Sequence, residues 1–496
     1  ADGGGWLVGF ESDAAAAGPG VPVELDVRLV TIDPGWALRI PAALALRRQV
    51  LPLCLVEGRV HVACADPGDT AALRALERYI DVPLQPWLAE PASLRQVLRR
   101  VYGDAATAVD SADPVALCTE ILYAAWLRQA SDVHIDPEKT GVRVRLRVDG
   151  QLEEFRRLPP EAHPELLSRI KILGGMDIAE KRAPQDGRFT HAFGTQDRVD
   201  IRVATLPTKH GERASMRLLA MDMAQLTLER LGMSAQDLER FEREIRRPNG
   251  LLLATGPTGC GKTTTFYAAL RRIIARRAVN AIAVLDPVEY DIEGVAQVEV
   301  DPAQKVTFEK ALRSILRHDP DVIMIGEIRD RETCDIAIRA ALTGHLVLAT
   351  LHTNSAASAV TRLADMGVDR YLIGATLGLV ASQRLVRRLC PHCRREGTLG
   401  GAEARALGHA EAAGLPAYRP AGCIHCAGRG YSGRVGLFEL LSLDEELSAE
   451  IARGAGEPRI LELVRARRLP GMREDALAKL AAGVTSLPEI LAAVAI

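Results

Sequence analysis

Leu251-Leu252-Leu253-Ala254-Thr255-Gly256-Pro257-Thr258-Gly259-Cys260-Gly261-Lys262-Thr263-Thr264 begins as a short apolar run and ends as a glycine loop. The apolar run reads as a strand buried in a parallel sheet. From Gly256 to Thr263 the pattern G-x-x-x-x-G-K-[ST] is complete, and helical spacing follows over Thr264–Arg276. Strand, loop and helix in that order are the context in which the pattern cradles phosphate. The glycines let the backbone curl until its N–H groups face phosphate oxygens, and the helix N-terminus adds a favourable dipole. Gly256, Pro257, Thr258, Gly259, Cys260, Gly261, Lys262, Thr263 and Thr264 are therefore the expected nucleotide cradle for ATP. Lys262 is placed to reach the β- and γ-phosphates, and the Thr263 hydroxyl to ligate Mg²⁺. An incidental glycine-rich turn would not need both flanks.

Working outward, Ala281–Leu285, Val322–Ile325 and Leu346–Thr350 are further buried-strand runs separated by helical stretches. That alternation predicts an α/β fold, a mostly parallel sheet with helices on both faces. Each run ends in polar chemistry. Asp286-Pro287-Val288-Glu289-Tyr290 follows the first, Gly326-Glu327-Ile328-Arg329-Asp330 the second and His352-Thr353-Asn354 closes the third. One carboxylate after a strand is usually a solvated or capping acid. Two of them, both at carboxyl ends of buried strands beside a phosphate loop, point to catalysis. Glu327 is expected to serve the Mg²⁺ shell, and Glu289 to orient or deprotonate the attacking water. His352 is open between a structural role and a γ-phosphate sensor. Arg202 and Arg217, on two strands of an earlier region, are candidates to supply transition-state charge if that region folds over the nucleotide.

Four of the nine cysteines form the pairs Cys390-Pro391-His392-Cys393 and Cys423-Ile424-His425-Cys426. Each pair can give two thiolates to one tetrahedral ion, so Cys390, Cys393, Cys423 and Cys426 are expected to hold a structural Zn²⁺. His392 and His425 could ligate, but four sulfurs suffice. The alternative is a redox site or two unrelated reduced pairs. Cys54, Cys64, Cys118 and Cys334 read as small buried residues. The pattern fits a reducing compartment.

At 496 residues the chain is too long for one core, and about three domains are expected. With 48% hydrophobic and 25% charged residues the composition is that of a globular protein. A formal net charge of −2 gives no field that would favour nucleic acid or anionic lipid. No apolar run reaches the length of a transmembrane helix. The first residues do not read as a signal peptide, and the missing Met reads as truncation or an expression remnant. The expected layout is a small α/β domain over 1–103, a linker over 104–113, a second α/β domain over 114–235, a P-loop ATPase domain over 236–388, a zinc subdomain over 389–434 and a helical region over 435–496. Residues 1–20 are expected to be flexible.

Taken in order, Ser131-Asp132-Val133-His134-Ile135, Met176 to Gly187, the glycine loop, Asp286 to Tyr290, Arg317 to Asp321, Gly326 to Asp330, Leu342 to His345, Thr350 to Asn354 and the four cysteines resemble the secretion ATPases of type II secretion and type IV pilus assembly. The resemblance runs from near Glu120 to the C-terminus and is nearest to the type II secretion branch. It implies a RecA-like P-loop ATPase domain preceded by two smaller α/β domains, the N-terminal one (1–103) platform-binding and the second (114–235) PAS-like, with a tetracysteine zinc subdomain. It implies a homohexamer on the cytoplasmic face of a bacterial inner membrane, held there peripherally through partners. Those partners are inner-membrane platform proteins of the general secretory pathway protein L (its cytoplasmic domain) and protein F types, with no nucleic acid. ATP hydrolysis would drive pseudopilus assembly and protein export. By motif position the resemblance assigns the Walker A lysine to Lys262, the Walker B glutamate to Glu327, the Asp-box glutamate to Glu289, the His-box histidine to His352 and nucleotide-contacting arginines to Arg202 and Arg217. Where the family usually has an acid before the Asp-Pro, this chain has Leu285. Competing readings are a pilus extension ATPase, a nucleic-acid translocase and a non-enzymatic scaffold.

Overall fold

In the computed structural model, residues 24–102, 113–193, 197–219, 227–301 and 304–494 are described. The glycine- and alanine-rich start and most of the expected linker lie outside them. Asp113, at the linker's end, accepts a hydrogen bond from Val115 N and caps the helix Pro114–Leu127. The chain divides into two compact units. One holds Ala1–Met221 with Leu389–Arg395 and Pro420–Ser432; the other holds Asp222–Arg388 with Glu396–Arg419 and Gly433–Ile496. The segment expected as a zinc subdomain over 389–434 is thus shared, with both cysteine turns in the first unit and Glu396–Arg419 in the second.

The first unit carries two sheets among its described residues. A four-stranded sheet has the order Glu24–Leu25, Leu84–Ala89, Arg59–Cys64, Val50–Val56. A six-stranded sheet has the order Gln151–Leu158, Gly141–Val148, Ala130–Glu138, Gly211–Leu218, Asp197–Thr208, Gln185–Phe193, every pair antiparallel. Residues 141–148 alternate half-buried and buried, so one face meets the helices Pro114–Leu127 and Ala162–Gly174 and the other stays wet. The strand before it continues through Pro137, which pairs with Val142, and on to Glu138, leaving Lys139-Thr140 as the turn. At Asp149-Gly150 both φ angles are positive (49° and 86°), which a tight two-residue hairpin demands.

The second unit is built on a seven-stranded sheet in the order Val295–Glu299, Ala281–Leu285, Val322–Ile325, Leu346–Leu351, Gly250–Thr255, Leu377–Leu389, Tyr431–Ser442. The first six strands pair in parallel. Alternate residues serve opposite faces. Leu252, Ala254, Ala283 and Leu285 pack with the helix Lys262–Arg276. Leu251, Leu253, Ile282 and Val284 pack with Phe308–Ile315, Arg331–Leu342 and Ala356–Asp365. Because both faces are covered, Gly250–Thr255, Ala281–Leu285, Val322–Ile325 and Leu346–Leu351 are continuous apolar runs legible in the sequence. Leu285 is 2% exposed and belongs to this core, while Asp286 and Glu289 lie beyond the strand end. No helix among the described residues is long and apolar enough to cross a membrane.

Candidate active site and metal centre

The register aligns the carboxyl ends of four neighbouring strands. Leu253 lies beside Ala349, Ala349 beside Ile325 and Ile325 beside Val284. Thr255 therefore delivers the glycine loop next to the segments that follow Leu285, Ile325 and Leu351. Gly256, Gly259 and Gly261 take φ values of 143°, 77° and 91°, a region that side-chain-bearing residues avoid. Lys262 opens the helix and is 8% exposed. Its Nζ donates to Gly256 O (2.8 Å) and Pro257 O (3.0 Å), so the ammonium is tucked into the curl of the loop. Burial lowers its pKa from the ordinary lysine value, and Arg384 reinforces that; Cys260 and Glu327 oppose it. An anion entering the loop would replace the two carbonyls with a stronger partner.

Glu327 stands one residue past Gly326, whose N–H bonds Val284 O at 2.7 Å. One carboxylate oxygen of Glu327 lies 3.1 Å from His352 Nε2. The other accepts from Arg329 Nε at 2.8 Å, and Arg329 Nη1 donates to Asp286 Oδ2 at 3.2 Å. Arg329 thus bridges the acids from two strand ends. His352 is fixed to the loop strand through its neighbour, since Thr353 N donates to Thr255 Oγ1 at 2.9 Å. Glu289 lies beside the helix that opens at Lys262. Burial first, and then the charge of Glu289, raise the Tyr267 and Tyr290 phenols, whose rings meet edge-on at 4.9 Å.

The structure brings Lys262, Glu327 and His352 into one cluster, with Glu289, in the segment after Leu285, beside Tyr267 of the loop helix. Within the first unit, Arg202 and Arg217 come together as directly opposed residues of the six-stranded sheet. Arg188 continues the row on the far side of Arg202, and Asp132 receives Arg217 Nε at 3.0 Å. Like charges opposed across strands repel, and the Asp132 carboxylate beside Arg217 offsets part of that repulsion. Sequence reading passed over Arg329, Gln383 and Arg384. Arg329 lies inside a quoted motif and could have been found; the other two sit on a buried strand that gave no local signal.

The four sulfurs lie within 4.8 Å of one another, with Cys390–Cys423 and Cys393–Cys426 both 3.8 Å apart and Cys423–Cys426 3.9 Å. A tetrahedron with Zn–S bonds of about 2.3 Å has edges of about 3.8 Å. Backbone N–H groups also point at sulfur: Gly422 N at Cys393 (3.2 Å) and Gly430 N at Cys426 (3.1 Å). The donor set fits Zn²⁺ without His392 or His425, whose rings stack on each other at 3.8 Å.

Comparison with known proteins extends this geometry. The profile of the Type II/IV secretion system protein family matches residues 107–492, most of the chain. The chain belongs to this family. An MshEN domain matches residues 20–108. The type II secretion system protein E of Pseudomonas aeruginosa is 40% identical over 484 residues, covering 91% of this chain and 95% of that protein. The type IV pilus assembly ATPase PilB of Thermus thermophilus is 42% identical over 487 residues, covering 93% of this chain. The chain spans 55% of that relative's length. Among solved structures, the pilus retraction motor PilT with bound ADP superposes with a TM-score of 0.51 at 26% identity, over 75% of this chain and 95% of that one.

Proposed function

We propose that this chain hydrolyses ATP to drive pseudopilus assembly and protein export in type II secretion. The observation that carries the chemistry is the convergence of Lys262, Glu327 and His352 at aligned carboxyl ends of parallel strands, on a complete glycine loop. ATP enters the loop and its phosphates take Lys262 from the carbonyls of Gly256 and Pro257. Thr263 and Glu327 are the residues that would hold Mg²⁺, which supplies charge neutralisation at the β- and γ-phosphates. Glu289 orients or deprotonates the attacking water. His352, bonded to Glu327, reports the state of the γ-phosphate. Arg202 and Arg217 supply positive charge as the γ-phosphoryl departs. Cys390, Cys393, Cys423 and Cys426 hold Zn²⁺ as a structural centre.

The active assembly in this reading is a homohexamer on the cytoplasmic face of the inner membrane. It is bound there through the N-terminal 1–103 domain and platform proteins of the protein L and protein F types. The secretion reading is favoured by the end-to-end match to the Pseudomonas protein E. A type IV pilus extension ATPase is the second reading, because the Thermus pilus ATPase matches 93% of this chain. Lys262→Ala is expected to abolish ATP turnover and secretion while leaving the fold intact by circular dichroism. Continued secretion in a strain carrying only that variant would sink the motor assignment. Pull-down with secretion versus pilus platform proteins separates the two readings.

A further inference from the structure

The glycine loop rests on a residue that the motif does not contain. Strand Leu377–Leu389 runs parallel to the loop strand with Ser382 beside Thr255, so Gln383 is the next residue along, directly behind the loop. Gln383 is 2% exposed. Its Nε2 donates to Cys260 O at 2.7 Å, and its Oε1 accepts from Thr265 Oγ1 at 2.9 Å. The amide can be oriented only this way, because the Cys260 carbonyl is an acceptor and needs a donor opposite it. Backbone and side chain of Gln383 both crowd the loop glycines. A Cβ on Gly256 would lie 2.4 Å from Gln383 O, and one on Gly261 would lie 3.2 Å from Gln383 Nε2. Arg384 holds the support in turn, with Nη1 donating to Gln383 O (3.1 Å) and Nη2 to Asn354 O (3.0 Å).

We propose that Gln383 is a positioning residue that aims the phosphate loop at the nucleotide. This rests on the reading of the loop as an ATP site. The reason is peptide geometry. A trans peptide is planar, and its N–H points opposite to its C=O. By drawing the Cys260 carbonyl backward, Gln383 turns the Gly261 N–H forward, to the side on which phosphate binds. The bond to Thr265 ties the same amide to the first turn of the following helix. Lys262 must leave the Gly256 and Pro257 carbonyls when nucleotide enters, and the Gln383 clamp keeps the loop curled while it does.

The test uses full-length protein with Gln383→Leu, which keeps bulk but neither hydrogen bond. Gln383→Glu keeps the acceptor for Thr265 and sets a second acceptor against Cys260 O. ADP binding by calorimetry, the KM and kcat for ATP, and amide exchange of residues 256–263 without nucleotide are measured. Both variants are expected to weaken ADP binding and raise KM by roughly tenfold, with kcat changed less than about threefold and faster loop exchange. Thr265→Val, which removes the donor to Gln383 Oε1 and leaves the bond to Cys260 O, is expected to do less. Unchanged ADP affinity and exchange would overturn the proposal, as would a fall in kcat at constant KM. ADP binding and exchange do not need hydrolysis. An inactive parent whose ADP affinity still depends on Gln383 would refute the motor reading and leave this one standing.

Discussion

Glu327 shows how a single side chain is set by its neighbours. Its carboxylate is shared between His352 Nε2 and Arg329 Nε, so both oxygens are oriented before any ligand arrives. Arg329 is the more exposed partner at 56%, against 23% for Glu327, and can swing out when a cation takes its place. Exposed pairs of this kind are weak, which suits a contact that must break in each cycle. Glu327→Gln preserves shape and removes charge. It is expected to retain nucleotide binding and lose turnover by about a hundredfold or more. Equilibrium binding of a fluorescent ATP analogue beside steady-state phosphate release checks this. Turnover within a few fold of the parent would remove Glu327 from the chemistry.

At the scale of an element, the helix Met472–Ala481 carries an internal ion pair that sequence patterning would place on a wet face. Asp475 and Lys479 are 7% and 9% exposed, and their charged atoms meet at 2.5 Å. Asp475 also accepts from Phe438 N, and Lys479 donates to Gly436 O. The pair thus pins this helix to the strand Tyr431–Ser442. Burial raises the Asp475 pKa and lowers that of Lys479; each is opposed by the charge of the other. Removing one partner leaves the other buried and alone. Lys479→Ala is expected to lower stability by about 3 kcal/mol at neutral pH, read as a urea midpoint. An acid whose folded pKa is raised costs stability only where it is ionised. The loss should therefore shrink as pH falls toward the ordinary aspartate value of 3.8. A loss that is equal at pH 5 and pH 8 would argue for packing instead of charge.

At the scale of the whole chain, the second cysteine turn is part of a distant core. Ile424 is 8% exposed and packs in the same cluster as Leu51, Leu53, Val60 and Leu98 of the N-terminal domain. Thr31 Oγ1 donates to His425 O at 2.7 Å, and Cys54 Sγ approaches Ile424 O at 3.9 Å. Asp33 also pairs with Arg128 of the second domain at 2.5 Å. The second cysteine turn thus joins a domain more than three hundred residues earlier in the chain. Stripping Zn²⁺ with a chelator, or Cys423→Ser, is expected to release about one Zn per chain and loosen the N-terminal domain. Hydrogen exchange over residues 29–33 and 50–56 should accelerate, and a protease should free that region. Metal content near zero in native protein, or unchanged exchange after its removal, would contradict this.

The sequence by itself determined the strands buried on both faces, because Leu251–Thr255, Ala281–Leu285 and Val322–Ile325 are unbroken apolar runs. It also determined the phosphate loop and the cysteine pairs, whose chemistry depends on residues close together in the chain. It missed the half-wet strands Gln151–Leu158 and Gln185–Phe193, where exposed residues dilute the pattern, and the strand Leu377–Leu389, which runs into the first cysteine. Only the tertiary structure decided what stands behind and around the loop. Gln383 reaches Cys260 because two parallel strands lie side by side, and Arg329 spans Asp286 and Glu327 because two strand ends align. It likewise decided that Ile424 belongs to the N-terminal core and that Arg202 faces Arg217 across a hairpin. Such contacts arise from register between segments far apart in sequence, and no local spacing records them.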